Sequence, residues 1–233
     1  MSAIFKREIR SYFTSPLGYV VFTVFALFEG FYFYYLFYYN YGDISALFSY
    51  MMTISMFLCP ILTMRLISED KRLKVDQALL TAPVGLWGIV MGKFLAAFTM
   101  FAGCYMLTFI NQLVFAVFTT PNWIVYIGNL LGILLLGAAL IAIGLFISSL
   151  TESQLVSAVV SFGAVMLIIM MDSLASAINF EPLQKFVSSM SFITRQETFA
   201  SGVLDFSNLV FFVSVAAVFL FLTVRMLEKK RWA

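Results

Sequence analysis

Residues 123–149 read WIVYIGNLLGILLLGAALIAIGLFISS and include no charged side chain. A helix of about 20 apolar residues is long enough to cross a bilayer, so this stretch predicts a transmembrane helix. Five further runs of the same character predict spans at about residues 17–39, 46–67, 88–118, 154–177 and 207–227. Strands of a membrane barrel alternate polar with apolar side chains over about ten residues, and these runs do not. The predicted fold class is therefore all-α: a polytopic membrane protein with six transmembrane helices in one domain, residues 1–233.

The composition of the whole chain agrees with a lipid environment. Of its 233 residues, 62% are hydrophobic and 11% are charged, which is more apolar side chain than a soluble core of this size could bury. The net charge of +2 is too small to predict a nucleic-acid partner. Cys59 and Cys104 each lie within an apolar run, so no disulfide framework is expected. The first span follows a basic cluster and precedes no small-residue cleavage site, so it is expected to remain in the protein.

The Lys and Arg residues predict how the spans are oriented, because positive residues accumulate in cytoplasmic connections. All but two of the 14 fall on one side if the spans alternate in direction. These are Lys6, Arg7, Arg10, Arg65, Lys71, Arg72, Lys74, Lys93, Arg225, Lys229, Lys230 and Arg231. Lys185 and Arg195 fall on the other side. The asymmetry predicts that both termini are cytoplasmic.

The most highly charged part of the chain is the predicted cytoplasmic connection between spans 2 and 3. Its segment RLKVDQALLTAP, residues 72–83, intersperses leucines with charged side chains and ends in a proline. This pattern predicts a short amphipathic helix at about residues 70–82 on the inner membrane surface. By itself it leaves open whether that helix merely caps spans 2 and 3 or has a further role. A second amphipathic segment is predicted on the outer side, at about residues 178–206.

Motifs for chemistry are missing from the chain. The segment GIVMGKF, residues 88–94, superficially resembles a phosphate-binding loop, G-x-x-x-x-G-K-[ST]. However, Trp87 stands where the first glycine should be, and Phe94 stands where Ser or Thr should bind magnesium. The chain has no histidine, which removes zinc motifs and Ser–His dyads. No catalytic, cofactor-binding or metal-binding residue is predicted, and the chain is not expected to be an enzyme.

Two carboxylates, Glu29 and Asp172, lie inside predicted spans. A charge at such a position costs about 2.5–3.5 kcal/mol on insertion scales, so intramembrane carboxylates are functional candidates by default. Both residues are therefore candidates for the lining of a transport pathway, and Glu29 is the deeper of the two. The alternative for Glu29 is a structural hydrogen bond.

Small residues at regular spacing predict close helix packing without a ligand. They are Gly88 and Gly92 at the start of span 3, and Gly128, Gly132, Gly137, Ala138 and Gly144 along span 4.

Three segments of the chain resemble one known family. They are EDKRLKVDQALLTAPVGLWGIVMGKFLAA at residues 69–97, IGLFISSLTESQLVSAVVSF at 143–162 and GVLDFSNLVFFVSVAAVFLFLTVRMLEKKRW at 202–232. All three are similar to permease subunits of type-2 ABC exporters, in the branch of the gliding-motility and nitrous-oxide-reductase maturation permeases. Many members of that family carry Gly-Thr where this chain has Lys74 and Val75, and Glu where it has Gln77.

The resemblance implies a function and a set of partners. Residues 2–15 would form an elbow helix on the inner leaflet, and the helix at about 70–82 would be a coupling helix that docks on a separate ATP-binding subunit. The residues implied in this coupling are Glu69, Lys71, Arg72, Asp76, Gln77, Leu79, Leu80, Thr81 and Pro83. ATP and Mg would be bound by the partner, a dimer of ATP-binding subunits. A second permease copy or a paralogue would complete the pathway, in some members beside an extracytoplasmic accessory protein, in a bacterial plasma membrane.

Two other functions remain open at this point. One is a secondary transporter that couples transport to protons or sodium through Glu29 and Asp172, although no internal repeat of the spans supports it. The other is a non-transporting membrane anchor for an ABC ATPase, which would need the same coupling helix.

Overall fold

The computed structural model describes residues 1–39, 44–75, 85–118, 122–177, 184, 189–202 and 205–232. Their helices are α1 (Ser2–Thr14), α2 (Pro16–Tyr38), α3 (Ile44–Thr63), α4 (Ser68–Arg72), α5 (Leu86–Tyr105), α6 (Thr108–Phe118), α7 (Trp123–Leu150), α8 (Gln154–Ala177), α9 (Phe192–Ala200) and α10 (Phe206–Trp232). No β-strand occurs among these described residues. The predicted all-α class is confirmed.

Six stretches of the described chain are long and apolar enough to cross a membrane: Pro16–Tyr38, Ser45–Arg72, Leu86–Phe118, Trp123–Leu150, Gln154–Met171 and Phe206–Arg231. They coincide with the six predicted spans to within a few residues at most ends. The second stretch joins α3 to α4 through a turn at 64–67, and the third joins α5 to α6 through a break at 106–107. This is the fold of a multi-pass helical membrane protein.

Local chemistry explains where several helices begin. Ser15 is extended, with φ −98° and ψ 152°, and Pro16 follows at the first position of α2, where a missing N–H removes no helical hydrogen bond. The side chain of Asn122 caps α7 by accepting a hydrogen bond from the Val125 amide at 3.3 Å. The side chain of Ser191 caps α9 in the same way, from the Thr194 amide at 3.1 Å.

The most buried of the six long helices is α7, which lies at the centre of the bundle and packs against α3, α5, α8, α9 and α10. Its glycines permit this packing. A Cβ on Gly137 would lie 2.2 Å from the ring of Phe101 in α5, and a Cβ on Gly144 would lie 2.2 Å from Thr63 Oγ1 in α3. The predicted close approach of helices at these positions is confirmed.

Three other glycines, Gly92, Gly128 and Gly132, pack against short helices instead of spans. A Cβ on Gly132 would lie 2.7 Å from the Cβ of Phe199 in α9, and one on Gly128 would lie 2.9 Å from the Phe199 carbonyl oxygen. At the other end of the bundle, a Cβ on Gly92 would lie 3.1 Å from Ile4 of α1. Small residues on α5 and α7 therefore seat α1 and α9 against the bundle.

Large apolar side chains cover the outer faces of α2, α8 and α10. Leu27 is 67% exposed, Leu155 is 74% exposed and Phe206 is 75% exposed. Contiguous apolar surface on this scale is rare on soluble monomers. It suits contact with lipid or with another membrane chain.

The basic residues gather at one end of the bundle, which we call the basic end. It comprises α1, the turn at 64–67 with α4, the first turns of α5, the connection between α7 and α8, and the last turns of α10. Arg7 of α1 pairs with Asp70 of α4 there, and Lys230 of α10 lies 3.9 Å from Glu152. The opposite end, which carries α9 with Arg195, is called the distal end. That the basic end faces the cytoplasm stays a prediction from the charge count.

The predicted amphipathic helix at about 70–82 falls partly within the described chain. Helix α4 ends at Arg72, and Lys74 follows in the left-handed region with φ 56°, so the backbone turns sharply after α4. Val75 is again helical, and residues 76–84 lie outside the described residues. Of the predicted outer segment, α9 is described, whereas residues 178–183, 185–188 and 203–204 are not.

Candidate coupling site at the basic end

A buried lysine organises the basic end. Lys93 lies in the second turn of α5 and is only 2% exposed. Its ammonium lies 2.9 Å from Glu8 Oε1 of α1 and 2.6 Å from Asp70 Oδ2 of α4, and it also donates to the Leu66 carbonyl. The ammonium thus has an oxygen partner for each of its three protons. One side chain ties α1, α4 and α5 to a single point.

Arg7 completes this group, which we call the ionic clamp (Arg7, Glu8, Asp70 and Lys93). Its guanidinium lies 2.5 Å from Glu8 Oε1 and 3.2 Å from Asp70 Oδ2. The clamp holds two cations and two carboxylates, so its formal charge is balanced. This balance matters for Lys93, because the Arg7 side chain is 41% exposed and only removal of a partner from a buried pair leaves an uncompensated buried charge.

The electrostatics of Glu8 reflect these contacts. Burial by itself raises the pKa of Glu8, but the charges of Lys93 and Arg7 and their hydrogen bonds outweigh burial. The pKa of Glu8 is therefore lowered from its ordinary value of 4.5. Glu8 is ionised at neutral pH and holds the clamp together as a carboxylate.

A second set of contacts joins α4 to α7. The Ser148 hydroxyl accepts hydrogen bonds from the amides of Ile67 and Ser68, each at 3.1 Å, and donates to the Met64 carbonyl at 3.2 Å. The Lys71 ammonium donates to the Ser149 carbonyl. One hydroxyl thus uses its single proton and both lone pairs on the turn that precedes α4.

A third set fastens α1 to the end of α3. The fully buried Tyr12 donates its hydroxyl to the Leu62 carbonyl at 2.7 Å. Arg65 donates to Ser15 Oγ at 2.9 Å, and its guanidinium lies 4.5 Å from the centre of the Tyr12 ring. Burial raises the pKa of Tyr12, so its hydroxyl stays protonated and remains a donor.

The structure separates the sequence-predicted coupling residues by exposure. Glu69 is half-buried and Arg72 is exposed, so at least part of each side chain is accessible at the surface. Lys71 is buried and bonded to α7, which makes it an internal fastening of α4. The remaining predicted residues lie outside the described residues: Asp76, Gln77, Leu79, Leu80, Thr81 and Pro83.

A groove beside α4 adds to the exposed surface of the basic end. It has a volume of about 620 Å³ and lies between α4 and the start of α8. Arg72 and Glu152 line it, together with Ser153 and Gln154. The wall of this groove therefore carries one cation and one carboxylate at the surface of the basic end.

Sequence reasoning missed the ionic clamp. In the sequence, Lys93 served as one of the basic residues that predict orientation and as part of a failed phosphate-binding motif, and Glu8 and Asp70 were not singled out. The available signal was a lysine inside an apolar span, since a charge there requires a partner. The identity of that partner was not readable from spacing, because Glu8 is 85 positions away from Lys93.

Of the two carboxylates predicted to lie within spans, Glu29 and Asp172, only Glu29 has a described side chain. Glu29 lies on the buried face of α2, is 4% exposed and accepts a hydrogen bond from Asn111 Nδ2 of α6 at 2.9 Å. This contact ties the first span to the third. Asp172 belongs to α8, and its side chain lies outside the described residues.

Within the described chain, no group of three or more Cys, Asp and Glu side chains is arranged to hold a metal ion. No known protein family matches the chain in a comparison with family profiles, and a search of curated proteins finds no match either.

Proposed function

We propose that this chain is the permease subunit of an ATP-driven exporter of the type-2 ABC class, coupled to a separate ATP-binding subunit. The observation that carries the proposal is the ionic clamp, together with the contacts of Ser148 and Lys71. These contacts attach α4 and the turn before it to α1, α5 and α7. This attached segment leads into the predicted coupling helix.

The mechanical argument concerns how a displacement at the surface would reach the spans. When two ATP-binding subunits close around ATP, anything docked on them moves with them. Helix α4 cannot move alone, because Asp70 is held by Lys93 of α5 and the turn before α4 is held by Ser148 of α7. A push that reaches α4 would therefore be delivered to spans 2, 3 and 4 together.

The remaining parts of the proposal come from the sequence. Two copies of the chain, or this chain with a paralogue, would enclose the substrate route, and the exposed apolar faces of α2 and α8 offer surface for such an association. ATP and Mg would act on the partner subunit. An extracytoplasmic accessory protein would join the assembly in some systems.

The test is the ATPase activity of the chain reconstituted in lipid with a co-expressed ATP-binding subunit, whose gene we expect beside that of this chain. Leu79→Ser with Leu80→Ser should release the ATPase or uncouple it, because burying each leucine contributes roughly 1.5–3 kcal/mol. Such a loss is about tenfold or more in affinity for each residue. Leu209→Ser is the matched control, since Leu209 is 40% exposed on α10 near the distal end. Normal binding and normal transport by the double variant would show that the two leucines only cap the membrane.

One observation favours an ion-coupled transporter as the second candidate, namely the buried carboxylate of Glu29 beside Asn111. Glu29→Gln keeps hydrogen-bonding capacity at that position and removes the charge. A transporter driven by proton or sodium binding at Glu29 would lose coupling in this variant, whereas an ATP-driven permease with a structural Glu29 would keep its ATP-dependent transport.

A further inference from the structure

A groove of about 350 Å³, which we call the α2–α3 groove, runs between α2 and α3 on the outer surface of the bundle. All the described residues that line it are apolar. They include Val20, Val24 and Phe28 of α2, and Ile54, Leu58 and Ile61 of α3. Most of the α2 wall is exposed, so the groove is open at the surface that suits contact with lipid. Walls of this kind favour an apolar occupant.

The groove leads to a cation at the basic end. Leu58, Ile61 and Arg65 are spaced three and four residues apart, which places them on one face of a helix. The helical geometry continues beyond the end of α3, because the Met64 amide still donates to the Pro60 carbonyl at 2.9 Å. Arg65 therefore follows the apolar wall of α3 by one turn.

Neighbouring helices hold Arg65 at this end of the groove. Its guanidinium donates to Ser15 Oγ at 2.9 Å, and Ser15 is the residue directly before α2. On its other side the guanidinium lies over the ring of Tyr12 in α1, 4.5 Å from the ring centre. The cation is thus fixed between the end of α3 and the start of α2, the two helices that form the groove. Arg65 is only half-buried, so it remains accessible.

The charge of Arg65 is not neutralised within the described chain. No carboxylate of that part of the chain forms an ion pair with it, whereas Arg7, Lys93 and Arg225 are each paired. Glu69 follows Arg65 by one turn without pairing with it. The Ser15 hydroxyl is also weakly engaged as a donor, since its one acceptor, the Tyr12 carbonyl, is 3.4 Å away. The groove therefore ends in a positive charge and a hydroxyl that can both donate to an anion.

We propose that the α2–α3 groove binds an acyl chain of an anionic phospholipid, whose phosphate accepts hydrogen bonds from the Arg65 guanidinium and the Ser15 hydroxyl. Arg65 lies where the second span reaches the basic end, which is the depth of the lipid headgroups. A cation at that depth attracts anionic lipids, and guanidinium–phosphate hydrogen bonds are among the strong ones in proteins. The site does not depend on the proposed coupling to an ATPase, and it is tested without one.

A lipid suits this groove better than a second copy of the chain. A copy that docked through the same surface would present its own α2 and α3. Glu29 is the only acidic residue described in these two helices, and it is buried. Such a contact would cover the apolar walls and leave Arg65 without a counter-charge, whereas an anionic lipid supplies both the chain and the charge.

The experiment places a tryptophan in the groove and measures its quenching by lipids that carry bromine on their acyl chains. Phe57→Trp is the reporter, because Phe57 lines the groove and is 41% exposed. The chain is reconstituted in phosphatidylcholine nanodiscs that contain increasing fractions of brominated phosphatidylglycerol or brominated phosphatidylcholine. Quenching of the wild-type chain is subtracted to remove the native tryptophans. We expect phosphatidylglycerol to bind about fivefold more tightly than phosphatidylcholine at this reporter.

Phe221→Trp is the matched control reporter. Phe221 is 44% exposed on α10 and also lies beside an arginine, with Arg225 5.0 Å from its ring centre. That arginine is paired with Glu228, so the two brominated lipids should quench this reporter about equally. An equal preference for phosphatidylglycerol at both reporters would mean that the lipid gathers at any arginine, and would overturn the proposed site.

Variants of Arg65 in the Phe57→Trp background test the headgroup contact. Arg65→Gln should abolish the preference for phosphatidylglycerol, Arg65→Lys should retain it, and Arg225→Gln should leave it unchanged. A preference that survives in Arg65→Gln would refute the role of Arg65. Should that variant fail to fold, the comparison of the two lipids with Arg65 intact still decides, because equal quenching there overturns the proposal.

Two further outcomes separate the lipid from other occupants. Unlabelled phosphatidylglycerol should relieve the quenching, whereas glycerol 3-phosphate, which carries the phosphate without the chains, should not. Equal relief by both would show a site for a free anion and contradict a lipid site. Absence of quenching by either brominated lipid would show that protein covers the groove, which would overturn the proposal equally.

Discussion

Replacing Lys93 by Met should lower the free energy of unfolding more than removing any single exposed charge. The variant keeps the volume of the side chain and removes the cation that lies 2.9 Å from Glu8 and 2.6 Å from Asp70. Removing one partner of a buried ion pair costs about 3–5 kcal/mol. Arg7 remains to compensate both carboxylates, so we expect the lower limit, about 3 kcal/mol, or roughly a hundredfold in the folded-to-unfolded ratio.

The assay uses the two native thiols. Cys59 and Cys104 are free and buried, so a fluorogenic maleimide reacts with them only as the bundle opens. In a chain of this length, each kcal/mol of lost stability lowers the unfolding midpoint by about 2 °C at the lower limit. The midpoint of Lys93→Met should therefore fall by about 6 °C. Adding Glu8→Gln should recover part of the loss, because it removes one of the two carboxylates left facing each other.

The control is Arg225→Met, because Arg225 pairs with Glu228 at 2.7 Å on the surface of α10 and its side chain is 62% exposed. Exposed pairs contribute about 0–1 kcal/mol, so this variant should shift the midpoint by no more than about 2 °C. A Lys93→Met shift no larger than that of the control would refute the argument that the clamp is held by charge.

Three further outcomes are expected. In the same thiol assay, Gly144→Ala should lower stability by about 1–3 kcal/mol because its Cβ would lie 2.2 Å from a side-chain atom of α3, whereas Gly163→Ala, with open space around the added Cβ, should be neutral or stabilising. Because the pKa of Glu8 is lowered in the folded protein, its stabilising effect is present above the ordinary value of 4.5 and lost as the pH falls below it. Unfolding midpoints measured from neutral to acidic pH should therefore drop more steeply for wild type than for Glu8→Gln, and parallel curves would contradict this. Lys74→Cys should react with an impermeant maleimide only from the cytoplasmic side and Gln184→Cys only from the outside; the reverse pattern would overturn the predicted orientation.

The number of spans could be predicted from the sequence. A bilayer leaves no water to satisfy backbone groups, so long apolar runs must form helices. The small residues at Gly137 and Gly144 were also recognised as packing positions. The residues that these glycines pack against, Phe101 and Thr63, could not be predicted, because the spacing of small residues carries no information about the facing helix.

The candidate site was only partly predictable. The charged connection was singled out because its composition contrasts with the rest of the chain, and Glu69 and Arg72 do present accessible surface there. Lys71 looks like its charged neighbours in the sequence, but the fold turns it inward onto the Ser149 carbonyl. Which of two adjacent basic residues is internal depends on the rotation of α4 against α7, which is a tertiary property.

Sequence alone determined the all-α class and the six apolar helices, because both follow from properties that each segment carries by itself: hydropathy and length. Tertiary structure alone decided that Lys93 meets Glu8 and Asp70, and that Phe199 of α9 packs against Gly128 and Gly132 of α7. Such features require groups from different helices to reach the same point. Their positions depend on how closely α5 and α7 admit α1 and α9, and therefore on packing distances that no single segment encodes.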